Sequence, residues 1–286
     1  GRRVLHYLQL ESYQLPGYVK SVRRNAMRAL IPPIAMAAVG VAALKVSGLF
    51  GLALLLEALT AALLAWQAAK EKAKKPFVAT ERVKRLLAVH VAVNTVLALA
   101  LLTVSPVLGY LLPAFEPALL MLAALIAAPM EKHIAGQFVK DAQARLAAQP
   151  NLIKIGITGS YGKTSTKFLL RDILSVKYNV LATPSSFNTP MGVTRVIREQ
   201  LTPAHQVFIA EMGARHVGDI RELVELVHPQ MGLITSVGPQ HLDTFGTIER
   251  VRDTKYELIE GLPKDGTAVF ARDGAICEAL FERCPL

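Results

Sequence analysis

The sequence predicts two architectures in series: an all-α transmembrane module of about four helices, then an α/β domain with a mainly parallel, doubly wound P-loop sheet. Three observations predict it. Ala, Leu, Val and Ile dominate from Ala29 to Pro129, which suits helices crossing a hydrocarbon core about 30 Å thick. From Ile153 onward, short β-branched runs alternate with amphipathic stretches, the pattern of strands joined by crossover helices. Between these regions, KIGITGSYGKTSTK at Lys154–Lys167 joins an apolar run, a glycine turn and a helical run. At 286 residues the length suits two domains, placed at 1–150 and 151–286. The start at Gly1 and the stop at Pro285-Leu286 read as the bounds of a fragment.

The first domain carries the charge. Residues 1–150 hold 17 Lys+Arg against 7 Asp+Glu, whereas residues 151–286 hold 15 of each. The second domain therefore has no basic surplus for a nucleic-acid face. Aromatics at 6% also argue against a base-stacking platform. Cys277 and Cys284 lack the C-x-x-C spacing and read as reduced thiols.

Four spans are expected, at about 29–45, 48–66, 86–105 and 113–130, the first and last having uncertain ends because of Pro32, Pro33 and Pro117. Arg23, Arg24 and Arg28 precede the first span. Lys70, Lys72, Lys74, Lys75, Arg82, Lys84 and Arg85 lie between the second and third. The opposite turns, near Ser47-Gly48 and Ser105-Gly109, carry little charge apart from Lys45. Positive loops stay cytoplasmic, so two hairpins return the chain to the cytoplasm near Glu131-Lys132. A multi-pass protein of the cytoplasmic membrane follows, with its second domain on the cytoplasmic side. A soluble helical bundle is the alternative. Glu57 falls in mid-span, where an acidic residue marks either a headgroup or substrate path or a helix–helix pairing. His90 sits near a cytoplasmic end.

A polar helix is expected over Lys132–Pro150, followed by the strand ending at Thr158. The turn Gly159-Ser160-Tyr161-Gly162 leads into Lys163-Thr164-Ser165 at a helix start. Backbone N–H groups and the helix dipole there favour a phosphate, Lys163 adds a cation, and Thr164 offers a hydroxyl to Mg²⁺. The generic pattern G-x-x-x-x-G-K-[ST] wants glycine at 157, where this chain has Ile157, so the loop is a variant. A strand at Asn179–Leu181 then leads to a polar loop over 183–192. Helix Val193–Gln200 follows, and strand Val207–Ala210 closes on Glu211-Met212-Gly213. Next come helix Asp219–Val227, strand Met231–Val237, the turn 238–243, helix Ile248–Leu262 and strand Thr267–Phe270.

In such sheets ligands gather beyond the carboxyl ends of the strands. The glycine loop, Glu211 and His241 all follow strands and should open onto one rim. Thr164, Glu211 and His241 would supply oxygen and nitrogen donors to a magnesium–nucleotide site. Position alone leaves each open. Glu211 also reads as a solvated strand terminus, His241 as a turn histidine, and Lys255 as a surface charge.

TGSYGKTS, SFNTPMGV, VFIAEMGARHVGDI, LITSVGPQHLDTFG and the helix bearing Lys255-Tyr256-Glu257 resemble, in this order, the Mur ligase family of ATP-dependent amide-bond-forming enzymes. The resemblance covers roughly 152–273, the region of that family's central domain, and is strongest to the branch that adds D-alanyl-D-alanine to the UDP-N-acetylmuramoyl tripeptide. It implies ATP held by Gly159, Ser160, Tyr161, Gly162, Lys163, Thr164 and Ser165, with Asn188 lining the same site. It implies two Mg²⁺ ions on Thr164, Glu211 and His241. Lys163, Lys255 and His241 would be the catalytic set, Lys255 matching a lysine that relatives carbamylate, and Asp243 a weaker positioning candidate. The partners implied by the resemblance are ATP, a cell-wall precursor acid and a dipeptide amine; the apolar helices of the first domain add the lipid bilayer.

Three departures are visible. A membrane module stands where relatives carry a soluble domain gripping the uridine nucleotide. Ala271 stands where they usually carry asparagine beside the adenine, and the domain that brings the amine does not follow within these residues. Two other readings stay open: the same chemistry on another acidic or lipid-linked substrate, and a P-loop ATPase driving a transporter or regulator. Against the last, no LSGGQ-like stretch occurs and Glu211 is followed by Met-Gly.

Overall fold

The computed structural model describes residues 2–11, 13–47, 50–70, 77–185, 187–272 and 274–285. The basic run at 71–75, Gly48, Ser186 and Asp273 lie outside the described residues. The chain forms two compact units, Gly1–Lys132 and His133–Leu286.

The first unit is helical: α1 (Arg2–Leu10), α2 (Leu15–Arg24), α3 (Ala26–Ser47), α4 (Phe50–Lys70), α5 (Glu81–Val104), α6 (Pro106–Leu111), a 3-10 turn at Leu112–Phe115, and α7 (Glu116–Ala147). The expected spans fall on α3, α4, α5 and the first half of α7. By length and composition, three described stretches suffice to cross a membrane: Ala26–Val46, Glu81–Val104 and Pro106–Ala147. Pro32 and Pro33 lie inside α3 rather than at its end. Proline cannot donate to the carbonyl four residues back, and the Arg28 carbonyl so released accepts from Arg3 Nη1 at 3.3 Å.

The two opening helices were not foreseen. Leu5 and Leu8 of α1 and Tyr18 of α2 are buried with Val83, Leu86, Leu120 and Ala123. Tyr18 donates its hydroxyl to the Pro117 carbonyl at 2.9 Å. Arg85 grips Glu131 through two bonds of 2.7 and 2.9 Å, the fork geometry that makes guanidinium–carboxylate pairs strong. His90 is buried, with Nε2 3.1 Å from Glu116 Oε1. Glu57 is half-buried in α4, and its Oε1 has no hydrogen-bond partner among the described residues.

The second unit starts inside α7. The polar helix expected from Lys132 is the continuation of that helix, unbroken through Pro129, and its Ala142 and Leu146 enter the α/β core. The sheet follows as β1 (Ile153–Thr158), β2 (Val180–Ala182), β3 (Val207–Glu211), β4 (Met231–Ile234) and β5 (Thr267–Phe270), in the order β2-β3-β1-β4-β5. Every pairing is parallel. The helices are α8 (Lys163–Leu174), α9 (Pro190–Gln200), α10 (Asp219–Val227), α11 (Leu242–Phe245), α12 (Ile248–Glu260) and α13 (Ala275–Glu282). Alternation along the strands sorts two cores. Ile155, Ile157, Val207 and Ile209 pack with Leu170 and Leu174 of α8. Phe208 and Ala210 pack with residues of α9, α10 and α12.

The register decides where the site lies. β1 is central, with Ile157 beside Glu211 of β3 and Thr158 beside Ile234 of β4. The three carboxyl ends therefore finish on one edge. β4 stops at Ile234, short of the expected Val237, because Ser236 leaves the ladder to bond the glycine loop. α9 begins at Pro190, earlier than expected, since the Thr189 hydroxyl caps it by accepting from Gly192 N and proline suits the first helical position.

Phe208 is fully buried at the centre of the larger core. Phe208→Ala is expected to destabilise the second unit by about 3–5 kcal/mol, read as a lowered midpoint of chemical denaturation.

Candidate functional site

The glycine loop is strapped to the segment after β4. Ser160 N–H donates to the Ser236 carbonyl at 2.8 Å, and Tyr161 N–H to Ser236 Oγ at 2.9 Å. Thr235 Oγ1 donates to the Tyr161 carbonyl at 2.6 Å, and Ser160 Oγ donates to the Gly238 carbonyl at 3.0 Å. This close seating fixes the glycine. At Gly159, φ is +148°, and an added Cβ would fall on Thr235 Oγ1 and the Ser236 backbone. Gly162 takes φ +78° before α8, a conformation that side chains resist. Ile157 replaces the motif glycine because this position is still buried strand. Thr235 and Ser236, which hold the loop, fall within LITSVGPQHLDTFG, but spacing alone does not mark them as its anchors.

Lys163 folds its ammonium back over the loop, donating to the Gly159 carbonyl at 2.6 Å and the Ser160 carbonyl at 3.3 Å. Burial pushes its pKa below the usual lysine value, opposed by the Glu211 charge. The ammonium lies where loop dipoles already concentrate, ready for an anion.

Glu211 is 1% exposed and so is no solvated strand terminus. Its Oε2 accepts from Thr164 Oγ1 at 3.0 Å and Lys167 Nζ at 2.9 Å, and its Oε1 accepts from Asn188 Nδ2 at 3.0 Å. Its backbone N–H donates to Thr183 Oγ1 at 3.1 Å. Thr164, Asn188 and Glu211, more than forty positions apart at the extremes, thus meet as expected. Lys167 was missed, although it lies one helical turn past Lys163 and its i+3 spacing from Thr164 was open to reading.

Lys255 is buried at 2% exposure, which removes the surface-charge reading. Burial, reinforced by the Lys163 charge, lowers its pKa to about 8, against the opposing pull of Asp219 and Glu257. Glu257 ties α12 to the start of α10, accepting from Gly218 N–H at 3.0 Å and Arg221 N–H at 2.9 Å. His241 is exposed at the head of α11 with φ +54°, a left-handed conformation that costs a non-glycine residue about 1–3 kcal/mol. Desolvation lowers its pKa, and Arg215, Lys255 and Lys163 add to the shift while Asp243 opposes it. Lys163, Lys255 and His241 therefore share one electrostatic neighbourhood. Asp243 is exposed in the first turn of α11.

The Thr164 hydroxyl and Glu211 carboxylate are hard oxygen donors and fit Mg²⁺. No group of three or more His, Cys, Asp and Glu side chains that could hold a metal ion occurs among the described residues. Thr164 and Glu211 alone would leave the remaining positions around such an ion to phosphate oxygens and water. Beside the loop, a cavity of about 320 Å³ is lined by Tyr161, Gly162, Thr166, Leu233, Thr235, Ser236, Val269, Phe270 and Ala271. Ala271, the departure noted in the sequence, stands on its wall.

Residues 157–285 match the family described as Mur ligase middle domain. A UDP-N-acetylmuramoyl-tripeptide–D-alanyl-D-alanine ligase of Synechocystis sp. is 39% identical over 122 residues, covering 43% of this chain and 27% of the relative. The ligase of the same name from Escherichia coli K12 is 34% identical over 158 residues, covering 53% of this chain and 35% of the relative. Among solved structures, the MurF ligase of Thermotoga maritima in complex with ADP is 32% identical, with 53% of this chain and 34% of that chain covered at a TM-score of 0.49. The chain thus spans about a third or less of the length of these relatives.

Removing the Glu211 side chain leaves the Lys167 ammonium buried without its ion pair. Glu211→Ala is expected to destabilise the second unit by about 3–5 kcal/mol, whereas Asp243→Ala, at an exposed position, shifts the thermal midpoint little.

Proposed function

We propose, from a second half that is a Mur ligase middle domain, that this protein is an ATP-dependent carboxylate–amine ligase of cell-wall precursor synthesis. The observation that carries the reading is the meeting of Lys163, Thr164, Asn188 and Glu211 at the carboxyl edge of β1 and β3, where a triphosphate has cations and hydroxyls to receive it. The amine that the sequence similarity favours is D-alanyl-D-alanine, and the acid is the UDP-N-acetylmuramoyl tripeptide.

In the proposed reaction the acid's carboxylate attacks the γ-phosphorus of ATP, forming an acyl phosphate as the bond to ADP breaks. The amine then attacks the acyl carbon, and phosphate leaves as the amide forms. Carboxylate and triphosphate repel each other, so the chain's first task is neutralisation. Lys163 stands over the loop for the β- and γ-phosphates. Thr164 and Glu211 would hold Mg²⁺, with His241 the candidate for a second ion. When bound, Mg²⁺ would neutralise charge on the phosphates and align the γ-phosphorus for in-line attack. Asn188 holds Glu211 by its amide, fixing the carboxylate's plane.

Lys255 suits carbamylation. At a pKa of about 8, a useful fraction of its amine is unprotonated near neutral pH, and that amine adds to CO₂ with loss of a proton. The product is an anion beside Lys163, reversing a repulsion into an attraction.

The apolar helices support a place in the cytoplasmic membrane. The stretch Glu81–Val104 is apolar, yet only 6% of its most apolar window is buried, with Leu87, Val91, Val96 and Leu99 facing outward. Such a surface is rarely left to water. The positive segments would keep the ligase domain on the cytoplasmic side. This placement favours a second reading of the substrate, a lipid-linked acid presented at the bilayer.

ADP release by the full-length protein in detergent tests the reaction. Steady release is expected only with both an acid acceptor and an amine present, the acid alone giving at most a single turnover, and steady turnover without the amine would overturn the ligase reading in favour of an ATPase. Comparing soluble and lipid-linked acceptors separates the two substrate readings. Lys255→Ala is expected to lower kcat by roughly two orders of magnitude, with partial rescue by short-chain acids; full unrescued activity would remove its role. At a fixed concentration of dissolved CO₂, activation should quicken as pH rises toward about 8 and level off above it, because the free amine is the reacting form.

A further inference from the structure

Lys167 is the most deeply buried charge in the second unit that the reaction scheme leaves without a task. Its side chain is 0% exposed. An ammonium in such a place persists only if paired and hydrogen-bonded. It has both partners: Glu211 Oε2 at 2.9 Å and the Ser185 carbonyl at 2.6 Å. The pair ties α8, the loop after β2 and the end of β3 together.

This arrangement bears on the metal. Glu211 already accepts from Lys167, Thr164 and Asn188, and its charge is matched by a fixed cation within the same fold. No second acidic side chain joins it in a metal-sized cluster among the described residues. A divalent ion approaching Glu211 alone would meet a neutralised carboxylate and the Lys167 charge behind it. Phosphate oxygens change that balance by bringing their own negative charge.

We propose that Lys167 is a positioning residue: a built-in counter-cation that holds the Glu211 carboxylate and keeps the divalent site closed until nucleotide arrives. The chain then takes up metal with the nucleotide's phosphates and not before them. The inference rests on the reading of Glu211 as a metal ligand, and deepens it.

Mn²⁺ serves as the probe, since its free form is counted directly by electron paramagnetic resonance. The full chain in detergent micelles is titrated with Mn²⁺, with and without ADP. Wild type is expected to bind Mn²⁺ at least about tenfold more tightly with ADP than without. Lys167→Met is expected to gain nucleotide-free binding by about tenfold, Lys167→Arg to behave as wild type, and Lys167→Met with Glu211→Gln to lose the gain. A folded Lys167→Met that gains nothing, or a gain that survives Glu211→Gln, overturns the proposal. Should Lys167→Met fail to fold, wild type still decides. Tight nucleotide-free Mn²⁺ binding that Glu211→Gln abolishes overturns it, and binding that requires ADP supports it. These titrations need no turnover. A protein that ligates nothing yet shows this pattern loses the ligase reading and keeps the role of Lys167, whereas one that binds no Mn²⁺ with ADP loses the metal site itself.

Discussion

A carboxylate taken out of water must be compensated on the spot, and at Glu211 that requirement organises the second unit. Thr164 and Lys167 reach it from α8, Asn188 from the loop before α9, and Thr183 receives the Glu211 backbone N–H. These partners come from two separate stretches of chain, α8 and the loop between β2 and α9. The penalty for leaving any of them out is large in a low-dielectric setting, so the loop, the helix and the strand end are held in one arrangement. The rim of the sheet is therefore preorganised before any ligand binds.

Around that centre, the parallel sheet does the coarse positioning. Crossover connections return every strand in the same direction, which brings the ends of β1, β3 and β4 to one edge. Polar straps then do the fine positioning. Ser236 and Thr235 hold the glycine loop from one side, and Glu257 locks the start of α10 to α12 on another. Lys255 sits within this frame, its charge disfavoured by burial and by Lys163. A lysine so placed is primed for chemistry that removes its positive charge.

The first unit follows a different logic. Its long helices expose apolar side chains such as Leu87, Val96 and Leu125. Arg85 with Glu131 and His90 with Glu116 pair between α5 and α7. The amphipathic opening helices cover part of this bundle with Leu5, Leu8 and Tyr18.

Much of this was legible in the residues themselves. Local chemistry determined the phosphate loop, since Gly159, Gly162, Lys163 and Thr164 announce a strand–turn–helix whatever surrounds them. The apolar periods announced the long helices, and alternation announced the parallel sheet. What remained was set by contacts between distant positions. The burial of Lys255, the pairing of Lys167 with Glu211, the strap from Ser236 and the merging of α7 with the α/β core arise where separate elements close on one another. Linear spacing carries short-range geometry, because backbone sterics act over a few residues. It does not carry desolvation or ion pairing, because these depend on what the folded chain brings near, and only the tertiary structure decided them.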